Sequence, residues 1–556
     1  MVDSIDELGL QKIDCYILSF FCLTKHPKRK TLERRLYPMP QKHAEEENTP
    51  NYSRHDRFAK KEAEKINKIL MIAGFVIVGI QIVATIVLSI FGYKLNMIPL
   101  KYYLPGVILL FIIAIAFFFM QFRRIPGIVA KVLSVIFSAF IIFLCVVSGK
   151  TIGAIYGMQG TTEIIQMNIY VMADDPASEI TDTKDYQYGV LAVLDRDYTD
   201  SVISDISEEF GKDVEFSEYI MPDTLAGALY SGEVRAIILN QAQISFIEDH
   251  AEYADFSEKT RVLSTTTIEN KLDPQPTPDV SEFEKDDFFS VYISGIDTRS
   301  GEILANSRSD VNILLFANKK TKQILLLSTP RDTYVYIPSY DYKDKLTHAG
   351  NNGIEASMET LEQFYNIDID YYFKVNFQGF ENIIDTLGGI EVYSEKAFRS
   401  TADSSYKGHF FTYKKGWNTL NGEQALVFAR ERHAFSDGDF QRGRNQMAVI
   451  EGVFNKLISP AILTSYVSLL DDLQTYFKTS MSFDEITSLV RMQLDDNAEW
   501  NVRSFAIEGD GKTLSGSGKW VMIPYTSSLS KARELIAAVE SGEILTDAML
   551  GVSEND

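Results

Sequence analysis

The sequence predicts an α/β chain on a membrane anchor: three transmembrane helices, a smaller α/β domain, and then a larger one in which a mixed sheet is flanked by helices. Three observations lead there. Residues 69–149 hold three long apolar runs. The charge reverses where those runs end: residues 1–150 carry 20 Lys+Arg against 11 Asp+Glu, and the remainder 34 against 65. Beyond residue 155, short apolar strands alternate with amphipathic helical stretches, the pattern of α/β folds.

The apolar runs come first. "ILMIAGFVIVGIQIVATIVLSIF" (69–91) and "LPGVILLFIIAIAFFFMQF" (104–122) contain no charge, and a third run covers about 125–149. Each suffices, alone or with its flanks, to cross a hydrocarbon core of about 30 Å at about 1.5 Å per residue. The basic residues lie before the first run and, as Arg123, Arg124 and Lys131, between the second and third. The positive-inside rule then predicts a multi-pass membrane protein with residues 1–68 as a cytoplasmic tail, 69–150 in the membrane and 155–556 outside. Residues 1–24 lack a basic start and a small-residue cleavage site, so no signal peptide is expected. All three cysteines, Cys15, Cys22 and Cys145, precede residue 150. The part beyond has neither disulfides nor a cysteine zinc site. Its acidity argues against nucleic acid as a partner.

Residues 155–270 read as an accessory domain. "YGVLAVLD" is a strand, "DYTDSVISDISEEFG" a capped amphipathic helix, "VEFSEYI" a strand, "PDTLAGALYSGEV" a helix, "RAIILN" a strand and "QAQISFIEDH" a helix. No cluster of ionisable residues marks a site, so the domain reads as an accessory or spacer domain, with a partner- or ligand-binding role as the alternative. The Pro-rich acidic segment within 271–287 reads as a linker.

The large domain, 288–540, opens with "FFSVYISGID", "VNILLFAN" and "QILLLSTP" as strands, the last two joined as a hairpin. Helices follow at "GIEASMETLEQFYN" and "FENIIDTLGG" around the strand "DYYFKVNF", and residues 541–556 form a tail. Charged residues stand at strand ends, where α/β sheets bind ligands: Asp297, Arg299, Arg308, Asp310, Arg331 and Asp332. The stretch "RERHAFSDGDFQRGRNQ" adds Arg430, Arg432, Arg442 and Arg444, with Arg442 and Gln446 one helical turn apart. Guanidinium arrays match phosphate, which they bind bidentately, and interleaved aspartates suit a hard divalent metal. There is no HExxH motif and no Walker A loop, and Ser309 and Ser328 lack a His/Asp relay.

The succession GIDTR, RSD, STPRDTYV, KLTHA, FENIIDTLGGIEV, LNGEQALVFARER and DFQRGRNQ, across about 290–455, resembles the LytR–CpsA–Psr family. Three membrane helices and an added outer domain resemble its capsule-associated, CpsA-like branch. The resemblance implies an extracellular phosphotransferase of a Gram-positive-type envelope. Such an enzyme takes a glycopolymer, capsular polysaccharide or teichoic-acid-like, from a polyprenyl-diphosphate carrier and attaches it to peptidoglycan through a phosphodiester. Capsule-synthesis machinery is then an expected partner. It also implies roles: Asp297 and Asp310 at a Mg²⁺ (or Mn²⁺) on the diphosphate; Arg308, Arg331, Lys345, Arg430, Arg432, Arg442 and Gln446 on phosphate oxygens. Asp297, Arg430 and Arg432 are the expected catalytic residues, with Asp297 as base. Asn445 stands where the family often has Arg or Gln, and Arg444 has no matching role. Expected walls for the prenyl tail are "IEASMETLEQFYNI" and "ENIIDTLGGI". A noncatalytic carrier-binding or attenuator-like regulatory protein and a carrier pyrophosphatase are the competing readings.

Overall fold

The computed structural model describes residues 54–159, 162–271, 280–296, 303, 305–405, 408–459, 465–515 and 517–551. The predicted cytoplasmic tail up to residue 53, residues 272–279 of the linker, and Asp297 and Arg299 lie outside the described residues.

Among the described residues three helices are long and apolar enough to cross a membrane: α1 (Arg54–Leu95), α2 (Leu100–Met120) and α3 (Arg124–Met158). Helix α1 starts well before the apolar run because "RHDRFAKKEAEKINK" is rich in Ala, Lys and Glu, which favour helix on their own. At 35 residues, α3 spans roughly 52 Å at the helical rise, more than a hydrocarbon core needs. Its last turns dock on the large domain: Lys150 pairs with Asp471 at 2.7 Å, and Thr151 shares a 3.2 Å hydrogen bond with Tyr466.

The accessory domain is a five-stranded sheet with helices. Its elements are β1 (Thr162–Met172), β2 (Tyr188–Leu191), α4 (Arg196–Phe210), β3 (Phe216–Tyr219), α5 (Pro222–Ser231), β4 (Ala236–Asn240) and β5 (Thr260–Lys271), in spatial order β3-β2-β4-β1-β5. The strand β2 pairs in parallel with β3 and β4, whereas β1 runs antiparallel to β4 and β5. The two long strands β1 and β5 add to the elements read from sequence. Residues 241–250 leave this sheet and lie between the two domains: Ile247 stays in the accessory core, and Phe246 is buried in the large domain's cluster with Tyr340, Leu346 and Ala349. The two domains therefore share a core, which a simple spacer would not.

The large domain is built on a six-stranded mixed sheet. Its strands are β6 (Phe288–Ile296), β7 (Ser309–Asn318), β8 (Gln323–Ser328), β9 (Tyr371–Asn376), β10 (Phe477–Thr479) and β11 (Asn501–Ala506), in order β10-β9-β6-β7-β8-β11. The β6-β7 and β7-β8 pairs are antiparallel, and β9 and β11 join in parallel to β6 and β8. The hairpin between β7 and β8 turns over four residues, 319–322, because the Asn318 carboxamide accepts from the amides of Lys320 and Thr321 and Lys322 takes a left-handed conformation (φ 53°).

Side chains alternate across this sheet, and both faces are covered, so its strands read as near-continuous apolar runs. Tyr292, Leu314, Phe316, Leu325 and Leu327 pack on α6 (Ile354–Tyr365) and on the C-terminal helix Thr526–Ser541. On the other face Val291, Ile313, Ile324 and Leu326 meet Met447, Ile450 and Phe454 of the long helix Gly438–Leu457. Residues 542–551 do not hang free as a tail. Leu545 is buried, its amide donates to Gln323 Oε1 at 3.1 Å, and Gln323 Nε2 donates back to Glu543 at 2.7 Å.

Candidate functional site

A cavity of about 290 Å³ opens between the second face of the sheet and three helices: α7 (Phe377–Thr386), α8 (Gly422–Arg430) and α9 (Gly438–Leu457). Its interior is apolar, with Ile293, Val311 and Val375 from the sheet, Phe377 and Phe380 from α7, and Leu426, Val449 and Ile450 from α8 and α9. Its charged and long polar lining residues are Arg331, Arg430, Arg432, Arg442, Gln446, Asp310 and Asp403. The pocket is thus apolar within and carries four guanidiniums against two carboxylates.

Local sequence places each polar group. Gly295 and Val311 face each other across β6 and β7, and a Cβ on Gly295 would lie 2.8 Å from that of Val311. The register shifts immediately afterwards, between Gly295 and Ile296, at the start of β7 where Asp310 stands. Arg331 follows β8 and donates to Asp310 Oδ1 at 3.0 Å. Burial opposes ionisation of the Asp310 carboxyl, but Arg331, Arg308 and Arg442 outweigh it and hold it below the ordinary carboxylate range. Burial likewise opposes the charge on Arg331, and Asp310 and Asp332 reverse that.

Helix α8 is opened by a capping box, Asn421 to Gln424, and ends at Arg430. Glu431 is then extended (φ −67°, ψ 129°), so Arg430 and Arg432 point to the cavity while Glu431 points away. The buried Glu431 carboxylate accepts from the Thr401 amide at 2.6 Å, the Ser404 hydroxyl at 2.5 Å and the Ala434 amide at 3.0 Å. It ties down the loop that carries Asp403 to the cavity. The Arg430 guanidinium lies over the Phe377 ring at 5.0 Å.

Helix α9 brings Arg442 and Gln446 in on one face. It can do so because Gly443 lets it cross close to the end of β8; a Cβ there would lie 2.8 Å from Ser328 Oγ. Arg442 is buried and pairs with Asp439 at 3.1 Å. Burial depresses its pKa against the pull of Asp439, Asp310 and Asp332, with the nearby Arg331 charge adding to the lowering. Asn445 donates to the Phe428 carbonyl at 3.1 Å and so fastens α9 to α8.

The structure therefore brings Arg331, Arg430, Arg432, Arg442, Gln446 and Asp310 together in one cavity. Two of the other expected ligands stand elsewhere. Lys345 is buried and pairs with Asp249 at 2.8 Å and Asp332 at 3.5 Å, away from the cavity lining. Arg308 does not line the cavity but acts on Asp310 through its charge, and its Nε has no hydrogen-bond partner among the described residues. Arg444 faces the opposite way and holds Glu395 at 3.0 Å together with Asp437. The expected apolar walls need correction. Helix α6 packs on the far face of the sheet, and from α7 it is Phe377 and Phe380 in the first turn that line the cavity, while Ile383 and Ile384 are buried in neighbouring clusters. Sequence reasoning missed Asp403, for which no signal exists. It also missed Glu431, which the R-E-R alternation at the end of a helix could have flagged.

Residues 252–536, just over half the chain, match the model of the LytR_cpsA_psr family. The chain is 34% identical over 236 residues to a Bacillus licheniformis protein named polyisoprenyl-teichoic acid–peptidoglycan teichoic acid transferase TagU, covering 42% of this chain and 73% of that one. It is 32% identical over 267 residues to TagU of Bacillus subtilis, covering 48% and 83%. Among solved structures, Bacillus subtilis TagU is 29% identical and aligns over 47% of this chain and all of that one, at a TM-score of 0.37. With its ordered Arg/Asp motifs, its family match and these relatives, the chain belongs to the LytR_cpsA_psr family.

Proposed function

We propose that this protein is a membrane-anchored transferase that moves a glycopolymer from a polyprenyl-diphosphate carrier to peptidoglycan outside the cell, forming a phosphodiester. The observation that carries the reading is the cavity itself, an apolar interior joined to four arginines and a glutamine. A prenyl tail needs the first and a diphosphate the second. The names of the relatives, transferases acting between polyisoprenyl-linked teichoic acid and peptidoglycan, point the same way. In this reading the sugar-side phosphorus is attacked by an acceptor hydroxyl. Its bond to the bridging oxygen breaks, polyprenyl phosphate leaves, and the hydroxyl proton passes to a base, for which Asp297 is the candidate. Arg331, Arg430, Arg432 and Arg442 neutralise charge developing on the phosphate oxygens, and Gln446 donates a hydrogen bond.

Mg²⁺ or Mn²⁺ fits the donor chemistry. Asp310 engages Arg331 through Oδ1, Oδ2 accepts no hydrogen bond among the described residues, and its carboxyl stays ionised. Asp310 would hold the ion together with Asp297 and the diphosphate oxygens, and the ion would supply further charge neutralisation. Capsular or teichoic-acid-like polymer as cargo, and a cytoplasmic N-terminus with residues 155–556 outside, complete the proposal.

The test is reconstitution of the full chain in detergent with undecaprenyl-diphosphate-linked glycan, Mg²⁺ and peptidoglycan. Covalent transfer that disappears in Arg430→Ala is the expected result. Tight carrier binding without transfer would instead establish a binding or regulatory protein, and release of free glycan phosphate a pyrophosphatase.

A further inference from the structure

Resting on the functional reading above, we infer that the accessory domain supplies a positioning residue to the active site: Asp249, acting through Lys345. Asp249 follows the short helix Ile244–Glu248 of the accessory domain, whose Phe246 packs into the core of the large one. It lies before residue 252, outside the part of the chain that matches the family.

From Asp249 a line of alternating charges runs to the cavity. The Asp249 carboxylate takes Lys345 Nζ at 2.8 Å; Lys345 reaches Asp332 at 3.5 Å; Asp332 faces Arg331 Nε at 3.5 Å; and Arg331 donates to Asp310 at 3.0 Å. Lys345 and Asp332 are both buried, with side chains 9% exposed, so solvent screens this line weakly. Asp249 is the closest anion to Lys345. With its charge gone, Lys345 is left with Asp332 alone and draws that carboxylate away from Arg331. Arg331 then turns toward Asp310, and both cavity groups shift. The accessory domain is held in place independently of this pair: Gln243 donates to Asn352 at 2.9 Å, and the Tyr340 hydroxyl donates to Gln243 at 3.2 Å. Loss of the Asp249 charge therefore changes the site more than the domain contact.

The full chain in detergent is compared with Asp249→Asn, Lys345→Met and the double variant. Three quantities are read: kcat for glycan transfer, affinity for undecaprenyl diphosphate, and melting temperature. Asp249→Asn is expected to lower kcat about tenfold and to weaken carrier binding several-fold, the range of a coupling that runs through packed charges. Lys345 keeps Asp332, so the melting temperature falls only modestly, and Asp249→Glu recovers most of the activity at a temperature where both variants are folded. In the Lys345→Met background, adding Asp249→Asn brings no further loss. Asp249→Ser takes the place of the Asn variant if the latter melts below the assay temperature. Turnover and affinity both within about twofold of the parent, or losses that multiply in the double variant, would overturn the proposal. A parent chain that binds the carrier without transferring glycan fails the functional reading alone, and Asp249 is then judged from the affinities.

Discussion

Two charged clusters lie close together in the large domain, and they are built on opposite plans. At the cavity, four arginines and two carboxylates line the wall, Asp332 and Asp439 back Arg331 and Arg442 from behind it, and burial acts against the Arg442 charge. Beneath it, around the KLTHA segment, every cation is matched. Asp344 takes Lys519 at 3.0 Å and His348 at 2.9 Å, Lys345 sits between Asp249 and Asp332, and Thr347 reaches Asp310 at 3.5 Å. The first cluster turns its guanidiniums toward the cavity, Arg430 without an ion pair among the described residues, and is suited to an outside anion. The second satisfies itself and serves to hold the first in place. In sequence the two look alike; the difference lies in whether a partner arrives from elsewhere in the fold.

Disrupting the matched cluster should cost stability. Lys519 is 5% exposed and its ammonium lies 4.2 Å from the centre of the Phe246 ring. Lys519→Met leaves the buried Asp344 with His348 as its remaining close partner and is expected to destabilise by about 3–5 kcal/mol, the cost of breaking a buried pair. Thermal unfolding checks this, and a drop below about 1 kcal/mol would mean that the cluster is wetter than its burial indicates. Disrupting the unmatched cluster should cost activity instead. Arg430→Ala removes a guanidinium with no ion pair among the described residues and is expected to lower transfer by about 10²–10³ with little change in melting temperature.

The same distinction shows what could be read in advance. The three membrane helices and the strands β6 to β8 were legible, because unbroken apolar length and buried strands leave direct marks in a sequence. Arg331, Arg430, Arg432, Arg442, Gln446 and Asp310 were legible as a group through the resemblance of their motifs to the family, since Arg308 and Arg444 stand in the same concentrations and do not line the cavity. The destination of Lys345 was not, since its partner Asp249 stands 96 residues away in another domain. Nor were Phe377 and Phe380, because an aromatic residue that lines a cavity and one that fills a core are identical in sequence. The long edge strand β5 was missed because its run of threonines, "TRVLSTTTIENK", lacks a strong apolar alternation.

A smaller effect follows from His348. Burial lowers its pKa from the ordinary value near 6.5, against the pull of Asp344 on Nδ1, with Lys519 and Arg308 adding to the lowering and Asp249 4.0 Å from Nε2. The folded chain therefore keeps this imidazole neutral where the unfolded chain already takes up a proton. Its contribution to stability is complete above about pH 6.5 and declines as the pH falls below that. The Asp344 carboxyl is held below its ordinary range despite its burial, so its own contribution fades only at more acid pH. Melting temperatures between pH 7 and pH 5 should fall more steeply in the parent than in His348→Gln; equal slopes would place the titrating group elsewhere.

The smallest expected effect sharpens the comparison most, because it separates two arginines two residues apart. Arg442 points into the cavity and is 8% exposed, whereas Arg444 points away. The side chain of Arg444 is 27% exposed, and its partners Glu395 and Asp437 are 50% and 30% exposed. Pairs this open to water are worth about 0.2–1 kcal/mol. Arg444→Ala should therefore lower stability by no more than about 1 kcal/mol and leave transfer within about twofold of the parent, while Arg442→Ala loses transfer as Arg430→Ala does. If Arg444→Ala also abolished transfer, facing the cavity would not be what distinguishes a ligand-binding arginine here. The hold of Arg444 on Glu395 and Asp437 would then be setting the entry of α9, and through it the position of Arg442.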